Sequence, residues 1–162
     1  MKDIYAFLDG NGIEYERHDH PPVYTVADVH RLIPVLPGAR TKNLFLRAKK
    51  EKRLFLVVVP DDKRVDLKLL PRSLDCHRLS FGSPSRLMKY LAIEPGSVSL
   101  LAIANDTAHT VEVIIDSDLW ASAAFQFHPL VNTSTLVIPK IGIERFLAAT
   151  GHEAEIIDIP AQ

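Results

Sequence analysis

The stretch that decides the fold is Asn43-Leu44-Phe45-Leu46-Arg47-Ala48, then Lys49-Lys50-Glu51-Lys52, then Arg53-Leu54-Phe55-Leu56-Val57-Val58-Val59. Two apolar runs flank a short charged connection, the pattern of two strands joined by a hairpin turn. In the first run Leu44 and Leu46 alternate with Phe45 and Arg47. The second run is apolar without a break from Leu54 to Val59. Such a run predicts a strand buried on both faces, in the interior of a sheet.

Toward the N-terminus, residues 3–11 carry Ile4, Phe7 and Leu8 at helical spacing, with Gly12 as a stop. Residues 13–18 follow as a strand. Thr25 with Asp28 three positions later resembles an N-cap opening a helix through Leu32. Pro34 and Pro37-Gly38 close that region. Beyond the hairpin, Pro60-Asp61-Asp62-Lys63 is a turn, and residues 65–70 are expected to be extended. Ser83-Pro84 opens a helix to Leu91 that is expected to bury Leu87, Met88 and Leu91. Pro95-Gly96 makes a turn, and Asn105-Asp106 starts a connection between strands at 99–104 and 110–115. A helical turn at 116–120, strands at 125–128 and 134–138, a helix at 143–150 ending on Gly151, and a strand at 155–159 complete the chain. Helices and strands interleave without the even rhythm of a doubly wound sheet. The expected fold class is α+β: a single compact domain over residues 1–162, with a mixed, largely antiparallel twisted sheet flanked by helices.

Composition sets the class of partner. The 162 residues are 47% hydrophobic and 24% charged, as in an ordinary globular domain. Cys76 is the only cysteine, so no intrachain disulfide can form. No apolar run is long enough to span a bilayer, and the first residues lack the apolar core of a secretory signal. A cytoplasmic location and no membrane partner are the expectation. The net charge of -1 hides a segregation: residues 40–72 hold eleven Lys/Arg against four Asp/Glu. A local positive field on a nearly neutral protein suits one end of an RNA better than a long duplex.

Few residues carry chemistry by pattern alone. His18-Asp19-His20 offers two imidazoles but no third convergent ligand, so a polar strand end is the plainer reading. Cys76-His77 lacks an activating context for a thiol nucleophile. There is no phosphate-binding glycine loop, no nucleophile elbow and no paired metal motif.

Five local sequences occur together and in order: His20-Pro21-Pro22-Val23-Tyr24-Thr25, Thr41-Lys42-Asn43-Leu44-Phe45-Leu46, Pro95-Gly96-Ser97-Val98-Ser99, Asn105-Asp106, and His128-Pro129-Leu130-Val131-Asn132-Thr133-Ser134-Thr135. This set resembles the YbaK/prolyl-tRNA-synthetase-associated editing domain family, and within it the stand-alone branch that deacylates alanyl-tRNA(Pro). The resemblance implies hydrolysis of an aminoacyl ester with no metal and no cofactor. The implied partners are mischarged tRNA(Pro) and, transiently, prolyl-tRNA synthetase or translation factors, with the protein a monomer. It implies catalytic roles for Lys42, Gly96 and His128, and substrate contacts from Asn43, Ser97, Val98, Asn132 and Thr135. The basic residues Arg40, Arg47, Lys49 and Lys50 are the implied tRNA contacts. Because side chains alternate along a strand, Lys42 and Asn43 are expected on opposite faces. One departure stands out: the family loop Gly-x-x-x-Pro ends here in Leu100, which keeps a backbone N–H that proline lacks. The alternatives left open are the same reaction on cysteinyl- or seryl-tRNA, a non-catalytic domain of this fold that binds a tRNA end or a synthetase, and an unrelated small-molecule hydrolase or binding protein.

Overall fold

The computed structural model describes residues 3–162. Helix α1 (Ile4–Gly10) is capped by the Asp3 carboxylate, which accepts from the N–H groups of Tyr5 and Ala6. Strand β1 (Glu16–Asp19) follows, three residues later than expected. Helix α2 (Val26–Leu32) opens on Thr25, whose hydroxyl accepts from the Asp28 N–H. The hairpin is as expected: β2 (Ala39–Ala48) pairs antiparallel with β3 (Arg53–Pro60), and all side chains from Leu54 to Val59 are buried.

Three expectations fail after the hairpin. Residues 65–70 do not form a strand; only Val65 makes a bridge, to Ala161. Asp66 turns the chain instead, accepting from the N–H groups of Lys68 and Leu69, and helix α3 (Leu70–Leu74) follows. Beyond β4 (Ser80–Phe81), helix α4 (Pro84–Leu91) buries Leu87 and Leu91 but leaves Met88 51% exposed. Residues 99–104 are not a strand either: a 3-10 helix spans Leu100–Asn105. Ser99 starts it, its hydroxyl accepting from the Leu101 N–H, and Leu100 through Ala104 are all buried. An unbroken apolar run has no periodicity to separate strand from helix, so local hydrogen bonds decided the outcome.

Strand β5 (Val111–Asp116), helix α5 (Ser117–Trp120), β6 (Ala124–Phe127), β7 (Ser134–Pro139), α6 (Lys140–Thr150) and β8 (Ala154–Ile157) complete the chain. Gly151, at φ 77°, ends α6 in the left-handed conformation. The sheet order is β1-β7-β6-β2-β3-β5-β8, with β4 also on β2. The pairings β1–β7, β6–β7, β2–β3 and β2–β4 are antiparallel. The pairings β2–β6, β3–β5 and β5–β8 are parallel. The class is therefore α+β with a mixed sheet.

Strands β2 and β3 separate two cores. One face sends Phe45, Leu54, Leu56 and Val58 into the larger core, with α1, α4 and α6 residues. The other sends Leu46, Ala48, Phe55, Val57 and Val59 into a smaller core under α3. Each fully buried aliphatic side chain contributes about 1.5–3 kcal/mol, which makes this central pair the rigid base for whatever its ends present.

Candidate active site

The N-terminal end of β2 runs beside β6, with Arg40 opposite Gln126. There a small cleft of about 40 Å³ opens between β2, α2 and the start of β7. Val29 of α2 and Ile33, its C-cap, form the apolar wall. Arg40, Thr41 and Asn43 come from β2, and Gln126, Phe127, His128 and Thr135 from the β6–β7 region.

A chain of hydrogen bonds fixes the floor. The Thr41 hydroxyl donates to the Gln126 carbonyl at 2.6 Å. The Asn43 carboxamide donates to the Thr41 hydroxyl at 3.3 Å and accepts the Leu100 N–H at 2.9 Å. The departure at Leu100 thus has a structural use: proline at that position could not hold Asn43. The Gln126 carboxamide donates to the Gly38 carbonyl at 3.0 Å and to the Leu36 carbonyl at 3.4 Å.

His128 closes one side. Its Nδ1 lies 3.0 Å from the Ser134 carbonyl. A carbonyl only accepts, so Nδ1 carries the proton and neutral His128 presents a lone pair at Nε2. No other described residue takes up that Nε2. Burial pushes the His128 imidazole below its ordinary value of 6.5, against the raising effect of the Ser134 carbonyl and with a smaller lowering effect from His20. His20 stands beside it, ring centroids 6.2 Å apart. Its Nδ1 is 2.9 Å from the Pro21 carbonyl and its Nε2 2.8 Å from the Thr135 hydroxyl.

The other expected site residues are not gathered here. Lys42 lies on the face of β2 opposite Asn43, does not line the cleft, and donates its ammonium to the Lys63 carbonyl. Burial holds the Lys42 ammonium below its ordinary value, opposed by Asp61 and Asp62. Gly96 lies beyond the cleft: a methyl there would sit 3.6 Å from the Tyr24 ring and 3.8 Å from the Asn132 carboxamide. Asn132 itself donates to the Val23 carbonyl at 3.0 Å and ties two loops together. Ser97 belongs to a 3-10 turn (Pro95–Ser97), and Val98 packs against the larger core. Of the expected tRNA contacts, only Arg40 reaches the cleft, where its guanidinium meets the His30 ring. Arg47 lies near the far end of β2, and Lys49 and Lys50 sit in the turn beyond it. Nine residues of strand separate Lys49 from Arg40, about 30 Å.

Sequence reasoning gave no role to Thr41, Gln126, Phe127, Val29 and Ile33, which line the cleft, or to His20, which stands behind Thr135 and beside His128. A signal existed for His20. The segments His20-Pro21 and His128-Pro129 flank strands that pair, and the β1–β7 register sets His18 opposite Thr135. Among the described residues one acidic trio, Asp116, Asp118 and Asp158, converges well enough to hold a cation. The Lys63 ammonium already stands there, 2.6 Å from Asp116 and 3.1 Å from Asp118.

Comparison with known proteins identifies the family and the fold. Residues 20–146 match the family model described as the aminoacyl-tRNA editing domain. The prolyl-tRNA editing protein ProX of Acetoanaerobium sticklandii is 34% identical over 156 residues, covering 96% of this chain and 95% of that protein. Prolyl-tRNA synthetase associated domain-containing protein 1 of Danio rerio is 34% identical over 158 residues, covering 96% of this chain and 85% of its own. A crystal structure of a proposed trans-editing enzyme for prolyl tRNA synthetase has the same fold, with a TM-score of 0.70 over 98% of this chain and 96% of that one at 16% identity. This chain belongs to the aminoacyl-tRNA editing domain family.

Proposed function

We propose that this chain is a cytoplasmic, trans-acting deacylase that hydrolyses the ester of alanine mischarged on tRNA(Pro). Family membership supports the reaction class, and the relative named a prolyl-tRNA editing protein supports the tRNA. The observation that carries the reading is the His128 imidazole, neutral by burial, with a lone pair at Nε2 in a cleft walled by Asn43 and Arg40.

Ester hydrolysis needs a held ribose-phosphate end, a positioned water and a donor for the oxyanion. Arg40, at the cleft, suits the terminal phosphate as a guanidinium with donors to spare. Asn43 commits one amide N–H to Thr41 and keeps the second for the ester carbonyl oxygen. His128 Nε2 accepts a hydrogen bond from water and orients it toward that carbon, assisted by the free ribose hydroxyl next to the ester. Water's oxygen bonds the carbonyl carbon, the ribose oxygen leaves with a proton, and free alanine and tRNA result. Lys42 acts from behind the site, anchoring the Pro60–Lys63 turn through the Lys63 carbonyl. Alanine fits such a site for a physical reason: a synthetase pocket built for proline excludes the smaller residue by only about 1–3 kcal/mol per missing methylene. A second, smaller cleft walled by Val29 and Ile33 then rejects proline by size.

The test is deacylation of alanyl-tRNA(Pro) and prolyl-tRNA(Pro) by the purified protein. Cleavage of the alanyl ester with the prolyl ester spared is expected. Equal cleavage of both, or of cysteinyl- or seryl-tRNA in preference, would overturn the substrate assignment; cleavage of none would overturn the enzyme.

A further inference from the structure

The hydrogen bonds around the cleft leave it with two chemically opposite ends. At one end the remaining capacity is to accept. In the tautomer that the Pro21 carbonyl selects, His20 carries its proton on Nδ1 and accepts at Nε2, so the Thr135 hydroxyl spends its only proton on that ring. Thr135 Oγ1, buried at the cleft wall, is left with lone pairs only. His128, with its Nδ1 proton on the Ser134 carbonyl, likewise offers only the Nε2 lone pair. At the other end the remaining capacity is to donate: the second amide N–H of Asn43 and the guanidinium of Arg40.

We propose that the acceptor end at Thr135 Oγ1, with His20 as the positioning residue and the water-binding His128 Nε2 beside it, is a subsite for the free α-ammonium group of an α-aminoacyl ester. The proposal rests on the deacylase reading and adds which atoms read the amino group. An α-ammonium offers three N–H donors and a positive charge beside the ester carbonyl, and the two ends of the cleft are complementary to that pair in the same order. A substrate whose amino group is acylated carries neither the charge nor the donors, and brings a carbonyl oxygen against acceptors that cannot answer it. The subsite therefore admits free aminoacyl esters and rejects N-acylated ones, including peptidyl esters.

The experiment is binding, read by nuclear magnetic resonance titration of the histidine ring signals, of 3′-(L-alanylamido)-3′-deoxyadenosine and its N-acetyl derivative. The amide is not an ester, so binding is read apart from turnover. The free amine is expected to bind about tenfold to a hundredfold more tightly than the acetylated form, the range for losing a charge-assisted hydrogen bond. Thr135→Val is expected to abolish the preference, Thr135→Ser to retain it, and His20→Ala to weaken it while the thermal midpoint stays near the wild-type value. Equal affinity for the two ligands, or binding of neither, overturns the subsite. Failure of the deacylase reading shows separately, as intact alanyl-tRNA(Pro) after incubation with a protein that still prefers the free amine.

Discussion

His128, partly buried, and His152, buried, sit in different regions of the molecule and look alike by neighbourhood. Each lies beside a second histidine: His20 at 6.2 Å from His128, and His109 at 4.7 Å from His152. Their bonding separates them. His152 Nε2 is 3.0 Å from the Asp106 carboxylate and its Nδ1 3.0 Å from the Thr150 hydroxyl, so both nitrogens are committed. Asp106 in turn accepts from the N–H groups of Thr110 and Val111. That cluster pins the end of α6 to the start of β5. His128 commits one nitrogen and keeps the other for the cleft. What the pair teaches is that unspent bonding capacity, rather than burial or the presence of a second imidazole, marks the residue available for chemistry.

The comparison breaks if the two histidines respond alike to removal. His128→Ala is expected to lower alanyl-tRNA(Pro) deacylation roughly 100-fold or more, the scale of losing a positioned acid–base group, with little change in thermal midpoint. His152→Ala is expected to do the reverse. It removes one of the three donors to the buried Asp106 carboxylate and costs about 1–3 kcal/mol of stability, measurable by urea denaturation, while the folded fraction keeps its rate. A rate loss with His152→Ala at a temperature where the protein is folded would dissolve the distinction.

Leu100→Pro sharpens it at the donor end. Ser99 is extended and Leu100 is the first residue of the 3-10 helix, where proline is tolerated. What is lost is the N–H that holds Asn43. About a tenfold fall in kcat/KM is expected, the worth of a hydrogen bond of about 1.4 kcal/mol, with a smaller change in stability. An unchanged rate would show that Asn43 needs no anchor.

The smallest expected effect is in pH. The folded His128 titrates below its ordinary value of 6.5, so it stays neutral where a solvated histidine has begun to protonate. The rate should hold steady as pH falls through 6.5 and drop only below it. Stability follows the same direction. The unfolded chain takes the proton first, so His128's contribution is full above the unfolded value and is lost as pH falls toward the folded one. A midpoint of the pH–rate profile above 6.5 would contradict the burial of the ring.

The central hairpin was legible because its two strands differ in kind, one alternating and one wholly apolar, and each pattern has one structural solution. The helix starts at Thr25 and Ser83 were legible because a hydroxyl followed by free N–H groups is a local signal. Residues 99–104 were not, since every side chain from Leu100 to Ala104 is apolar and either structure buries them. The cleft was half legible. His128, Asn43 and Thr135 lie in motifs, and Arg40 stands in the basic segment. His20 and Thr41 also open two of the motifs but were given no role there, and Gln126 carries no signal of its own because its role arises from the parallel pairing of β2 with β6. The opposed faces of Lys42 and Asn43 did follow from strand alternation alone.

The bond from Leu100 to Asn43 makes two positions that are 57 residues apart in sequence act as one switch. A carboxamide presents oxygen on one side and nitrogen on the other, and turning it over costs little once nothing holds either end. With the Leu100 N–H in place, the oxygen is spoken for and the nitrogen faces Thr41 and the cleft. Without it, only the 3.3 Å bond to the Thr41 hydroxyl opposes inversion, and an inverted amide would offer an acceptor where it now offers a donor. A single change in a buried segment that touches no substrate can thus reverse the polarity of the cleft floor, giving protein engineers a handle on ligand choice that leaves the cleft's shape intact.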